Sequence, residues 1–160
     1  MSNKHLTATH SSLILALAAL TVLLFGPTSP AEPHVSGEAR GGYHLDAEEG
    51  LIGGGLNTHI GDHWYFNPNI EWVFVQNYDL WSINADFHRD LPTSGPAIWL
   101  GGGPAIIVTD PEFNGRRNSD FGLNLLGGVG AKSGSVRPFG QMKVTLSDNS
   151  SSSLAFGIRF

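Results

Sequence analysis

The sequence predicts an all-β protein: an eight-stranded antiparallel up-and-down transmembrane β-barrel that follows a cleaved signal peptide. Three observations carry this reading. Apolar and polar residues alternate with period two through most of the chain, the pattern of strands whose two faces meet different media. Charged residues make up only 14% of the sequence, against ~25% in soluble domains. Glycine supplies 21 of 160 residues, well above the usual ~7%. There is no cysteine, so disulfides, Cys-ligated zinc, iron–sulfur centres and thiol catalysis are excluded. The formal net charge of −5 argues against nucleic-acid binding, which calls for a basic excess.

Residues 1–31 read as a signal peptide. Lys4 is the only formal charge before Glu32, and Leu13 to Phe25 is an apolar run whose only polar member is Thr21. Gly26-Pro27 breaks the run, and Ser29-Pro30-Ala31 places small residues at −3 and −1 of a cut after Ala31. A helix of that length reaches ~20 Å, too short for a hydrocarbon core of ~30 Å. Cleavage removes Lys4 and no carboxylate, so residues 32–160, the barrel domain, are more acidic than the whole chain.

Each strand follows from its alternation. Between Ser36 and Asp46, Ala39, Gly41, Tyr43 and Leu45 oppose Glu38, Arg40, His44 and Asp46. Between Leu51 and Ile60, Ile52, Leu56 and Ile60 oppose Gly53, Gly55, Asn57 and His59. Between His63 and Val75, Trp64, Phe66, Ile70, Trp72 and Phe74 oppose Asn67, Asn69 and Glu71. Between Leu80 and Arg89, Trp81, Ile83, Ala85 and Phe87 oppose Ser82, Asn84, Asp86 and His88. From Ala97 to Val108 both faces are apolar and Pro104 interrupts the run. Proline lacks a ladder donor, so a bulge near Gly103-Pro104 is expected to switch the faces midway. Between Asp120 and Gly130, Phe121, Leu123, Leu125 and Val129 oppose Asp120 and Asn124. Between Val136 and Leu146, Val136, Met142, Val144 and Leu146 oppose Arg137, Gln141, Lys143 and Thr145. In the last strand, Leu154, Phe156, Ile158 and Phe160 oppose Ser153, Gly157 and Arg159. Eight strands allow about ten residues each plus a connection, near the requirement of a tilted membrane-spanning strand, and an even number closes without an edge. The connections at Gly61-Asp62, Asp90–Pro96 and Ser133-Gly134 fall at one end, assigned to the periplasm by the usual topology. Those at Ala47–Gly50, Gln76–Asp79, Thr109–Ser119 and Asp148–Ser152 fall at the other, assigned to the exterior.

An eight-stranded barrel encloses side chains only, and the apolar faces carry too many large residues to fit inside. They also cluster at strand ends. Trp64, Phe66, Phe87, Phe156 and Phe160 lie toward the periplasmic end, and Tyr43, Trp72, Phe74, Trp81 and Phe121 toward the outer end, as two aromatic girdles around an aliphatic middle. The polar faces then form the lumen. Glu38, Arg40, His44, Glu71, Asp86, Arg137, Lys143 and Arg159 are its expected network, since a lipid-facing Lys or Arg at mid-depth costs ~2–4 kcal/mol. Their heights predict two salt-bridged plugs: Glu38, Arg40, Asp86, Arg137 and Arg159 in the periplasmic half, and Glu71, Lys143 and His44 in the outer half. Arg159 and Glu38 are neighbours only if the barrel closes.

With these features the chain resembles the small eight-stranded outer-membrane barrels of Gram-negative bacteria, the outer-membrane protein A, X and opacity-protein-like group. The resemblance rests on the signal peptide, the eight alternating segments and the terminal strand Leu154-Ala155-Phe156-Gly157-Ile158-Arg159-Phe160. In that strand Phe156, Ile158 and Phe160 resemble the signal read by the outer-membrane assembly machinery. The resemblance implies an outer-membrane location, lipid, lipopolysaccharide and the barrel assembly machinery as partners, a monomeric state, and no cofactor. The exterior connections are shorter than the adhesive loops of some relatives.

Little in the sequence points to catalysis. Some small outer-membrane barrels deacylate lipid A with a His-x-Ser pair, but His34-Val35-Ser36, the only such pair after residue 31, precedes the first strand at the periplasmic end. His59, Asp62 and His63 cluster at a turn in a combination that suits a metal, with turn polarity as the simpler account. Gly53-Gly54-Gly55 and Gly101-Gly102-Gly103 precede no helix and so are not phosphate loops; room for lumen side chains explains them. Arg116-Arg117, beside Asp110, Glu112 and Asp120, reads as a solvated loop tip or a contact to lipopolysaccharide phosphates. The expected function is a non-catalytic outer-membrane barrel with a structural or surface role and a plugged lumen. The alternatives are a narrow pore, a lipid A-modifying enzyme and a soluble periplasmic ligand-binding barrel.

Overall fold

A computed structural model of the protein describes residues 34–76, 78–111 and 117–160; the signal peptide read at residues 1–31, and Glu112 and Arg116 of the longest connection, lie outside them. The described chain forms eight strands: β1 (Val35–His44), β2 (Glu49–Gly61), β3 (Trp64–Val73), β4 (Tyr78–Asp90), β5 (Ala97–Pro111), β6 (Asn118–Gly130), β7 (Arg137–Leu146) and β8 (Ser151–Arg159). Each pairs antiparallel with its sequence neighbours, and β1 pairs with β8 to close the barrel. Closure places Glu38 opposite Arg159. His34 and Phe160, the first and last described residues, lie with the β2–β3, β4–β5 and β6–β7 turns at what we term the terminal end. The other connections lie at the loop end.

The two faces segregate as alternation predicts for a barrel in an apolar surround. Glu38, Arg40, Glu71, Asp86, Lys143 and Arg159 are buried inside, and most of the large apolar side chains stand outside, with Trp99 and Phe139 enclosed. The β3–β4 hairpin shows this surface in section. Phe66 opposes Phe87 near the terminal end, Ile70 opposes Ile83 in the middle, and Trp72 opposes Trp81 near the loop end. The two phenyl rings are 4.8 Å apart and the two indoles stack at 5.1 Å. Tyr43, Phe74, Phe121, Phe156 and Phe160 are exposed on the same outer face of their own strands, and Trp64 is partly so.

The bulge expected at Gly103-Pro104 is absent. Register across β5 is unbroken on both sides, from Asp90↔Trp99 to Tyr78↔Pro111 and from Ala97↔Gly130 to Thr109↔Asn118. Instead the β4–β5 ladder skips Ala85 and Asp86, opposite Pro104 and Gly103, while β5–β6 pairing continues through Pro104↔Leu123. The missing proline donor therefore opens a gap in one ladder without inserting a residue. The faces do not switch: Ile98, Leu100, Pro104 and Ile106 point outward, and Ala97, Trp99 and Ala105 inward. The register shift lies instead between His59 and Gly61, beside the β2–β3 turn. There Asp62 and His63 both adopt positive φ (47° and 82°), the geometry of a primed hairpin turn.

Candidate functional site

The lumen holds the chain's buried chemistry, and its residues arrive from alternate positions on all eight strands. Glu38, Arg40, Glu71, Lys143 and Arg159 form one connected ionic chain. Lys143 Nζ contacts Glu71 Oε2, and Arg40 Nη1 donates to Glu71 Oε1 at 2.9 Å. Arg40 Nη2 contacts Glu38 Oε1 and donates to Asn67 Oδ1 at 2.9 Å. Arg159 Nε donates to Glu38 Oε2 at 2.8 Å. The two separate plugs read from the sequence are thus joined, because the Arg40 guanidinium reaches both carboxylates. Gly53 allows this: a Cβ there would lie 2.9 Å from Glu71 Cγ and 3.3 Å from Arg40 Cγ.

Asp86 makes no ion pair among the described residues. It accepts from Asn69 Nδ2 (3.0 Å) and Asn124 Nδ2 (2.8 Å), and Asn84 bonds to both asparagines. Arg137 is half-buried at the start of β7 and has no carboxylate partner among the described residues. His44 is half-buried at the end of β1, where its Nδ1 accepts from the Ala47 N–H at 3.1 Å. The fully enclosed charges therefore balance, with Arg40, Lys143 and Arg159 against Glu38, Glu71 and Asp86. Balance with dense hydrogen bonding is what makes charge burial tolerable.

The terminal half is further closed by aromatic rings. Trp99 is fully buried, and its Nε1 donates to Gln141 Oε1 at 3.2 Å. The Arg159 guanidinium lies 4.5 Å from the Trp99 ring centre and 4.8 Å from that of Phe139. His88 and Tyr65 stack at 5.2 Å beside them. Each of three rings sits opposite a glycine: His88↔Gly101, Trp99↔Gly128 and Phe139↔Gly157. A Cβ at Gly101 would come 2.6 Å from His88 Cβ, one at Gly157 2.6 Å from Phe139 Cζ, and one at Gly128 would overlap the Trp99 indole. The sequence reading missed Trp99 and Phe139. Gly101 and Gly103, on the Trp99 face of β5, were the available sign that this face is the crowded one.

The loop half is open instead. A cavity of about 380 Å³ lies above the Glu71–Lys143 pair and reaches the β1–β2 and β7–β8 connections. At its rim the exposed Asp46 carboxylate accepts from the backbone N–H and hydroxyl of Ser152, and these bonds hold its pKa below the usual carboxylate range.

Other sequence candidates separate. His34 is exposed, while Ser36 Oγ donates to the Asn57 carbonyl at 3.3 Å. Among the described residues no three His, Asp or Glu side chains converge on a metal-sized site. Phe156, Ile158 and Phe160 line the outer face of the closing strand, and Phe160 exchanges backbone hydrogen bonds with Gly37 at 2.8 and 2.9 Å.

No protein-family model and no curated protein matches the sequence. Solved structures do match the fold. The N-terminal β-barrel domain of Pseudomonas aeruginosa OprF superposes with a TM-score of 0.65 at 15% identity, over 82% of this chain and 98% of that one. Neisserial surface protein A (NspA) gives 0.63 at 14% identity, over 81% and 98%. The de novo designed TMB2.3 gives 0.52 at 12%, over 86% and 97%. The chain has the closed eight-stranded antiparallel barrel fold shared by these proteins.

Proposed function

We propose that the protein is a non-catalytic outer-membrane barrel with a structural or surface role, and that its lumen does not conduct. The observation that carries this reading is the inverted distribution of polarity. An ionic chain and an amide cluster around Asp86, neutral when taken together, fill the inside, while isoleucines between aromatic pairs cover the outside. In water this surface would leave a continuous apolar band exposed; in a bilayer it matches the hydrocarbon and its two interfaces. The OprF and NspA barrels are outer-membrane folds of the same topology and support the same location. In this reading the terminal end faces the periplasm, lipid and lipopolysaccharide surround the barrel, and the barrel assembly machinery inserts it through the Phe156, Ile158 and Phe160 face. The protein acts as a monomer, and residues 1–31 are its signal peptide.

Cell fractionation with a gel-mobility assay tests this. The protein is expected in the outer-membrane fraction, with a band that migrates differently before and after boiling. Recovery in the soluble periplasmic fraction would refute the proposal. A channel reading is disfavoured by the Trp99–Phe139–Arg159 closure, and bilayer recordings are expected to show no steady large openings.

A further inference from the structure

We infer that the loop-end cavity is a binding site for a small polyhydroxylated ring, neutral or cationic, of about monosaccharide size. This does not depend on where the barrel resides. At about 380 Å³ the cavity is near the lower end of the ~300–1,000 Å³ range of small-molecule pockets.

Its walls are chemically two-sided. In a closed eight-stranded barrel, β8 and β1 stand across the lumen from β4 and β5. The β8–β1 side offers the hydroxyls of Ser151 and Ser153 and the imidazole of His44. Because His44 Nδ1 accepts from Ala47, its ring proton resides on Nε2, which is then a donor. The opposite side presents an apolar patch from Leu80 and Ile107, extended by Val73 of β3 beside Leu80 and flanked by the hydroxyls of Tyr78 and Thr109. The Tyr78, Thr109, Ser151 and Ser153 hydroxyls have no side-chain hydrogen bond to another described residue, unlike the internally bonded Ser82 and Thr145. An apolar patch facing unengaged hydroxyls suits a sugar-like ring, which has C–H-rich faces and a rim of hydroxyls able to both donate and accept.

Charge narrows the class. The cavity is lined by the carboxylates of Asp46, Glu71 and Asp120 and the ammonium of Lys143, and Glu71 is paired with both Lys143 and Arg40. Asp46 and Asp120, which pair with no cation among the described residues, disfavour carboxylated and phosphorylated ligands and tolerate a neutral or amine-bearing ring.

The test is a titration of the intact detergent-folded barrel with methyl glucoside, glucosamine and glucuronate, followed by amide chemical shifts. Methyl glucoside or glucosamine is expected to shift Thr109, Ser151 and Ser153 saturably, with glucuronate at least tenfold weaker. S153L, which fills the cavity from β8, is expected to abolish the shifts. T109V, which removes one hydroxyl at nearly constant volume, is expected to weaken them; heat-dependent mobility confirms that both variants are folded. No saturable shift with any of the three compounds, equal binding of glucuronate, or unchanged binding in both folded variants overturns the proposal.

Discussion

Replacing Arg159 by Met removes one charge from the terminal end of the β1–β8 closure while keeping an apolar stem against Trp99 and Phe139. The side chains of Arg159 and Glu38 are 9% and 0% exposed, so Glu38 Oε2 loses its 2.8 Å partner in a site with little water to replace it. Breaking a buried pair by removing one member costs ~3–5 kcal/mol. Glu38 keeps Arg40 on its other oxygen, which places the effect at the lower end, about 3 kcal/mol. With a urea slope of ~1–3 kcal/mol per molar for small proteins, the midpoint falls by about 1–3 M. The assay is urea unfolding of the detergent-folded barrel, read by tryptophan emission. The E38Q/R159M double variant is expected to be more stable than R159M, because no carboxylate is left without its partner. The cycle should return a coupling of ~0.5–3 kcal/mol. R159M within ~0.5 kcal/mol of the parent, the range of an uncoupled surface change, would refute the reasoning, as would simple additivity of the two substitutions.

Three further outcomes follow from the same structure. I70R places a charge on the outer face between the aromatic pairs and is expected to lose ~2–4 kcal/mol in lipid, against under ~1.5 for I70L; equal stability of the two would contradict a lipid-facing Ile70. G128L drives a side chain into the Trp99 indole and is expected to cost ~1–3 kcal/mol by overpacking and to shift Trp99 emission; an unchanged spectrum counts against the ring-over-glycine packing. At Asp46 the folded carboxyl is held below its unfolded value, so its contribution is present at neutral pH and is lost as pH falls through the depressed pKa; the protection of the Ser152 amide, its exchange relative to the intrinsic rate at each pH, should fall on acidification in the parent and already be low at neutral pH in D46N.

The strand count and most faces were legible because period two is decisive when each strand borders two different media. A single Lys, Arg or Glu, such as Lys143 on β7 or Glu71 on β3, is enough to identify the inward face. The Glu38–Arg159 pairing followed from closure alone. β5 was not legible in this way. With apolar residues on both faces, only the glycines at 101 and 103 mark the enclosed Trp99 face against the outward Leu100 face, and Pro104 pointed to a bulge where the ladder only skips two pairs. Alternation reports which way a side chain leaves the backbone, not how far it reaches. Arg40 therefore links two layers that looked separate, and Asp86 finds amides from β3 and β6 where a cation was expected. The open cavity was invisible for the same reason, since its hydroxyls come from strands far apart in the chain.

Tryptophan quenching by lipid brominated along its acyl chains tests the central claim, an apolar outer face in contact with lipid around an enclosed polar lumen, most directly. Trp81 lies on the outer face and Trp99 is fully buried inside, so two single-tryptophan variants, with Phe at the other positions, report the two surfaces separately. Strong quenching of Trp81 and little of Trp99 are expected in reconstituted vesicles. Unquenched Trp81, or Trp99 quenched as strongly as Trp81, would contradict the claim.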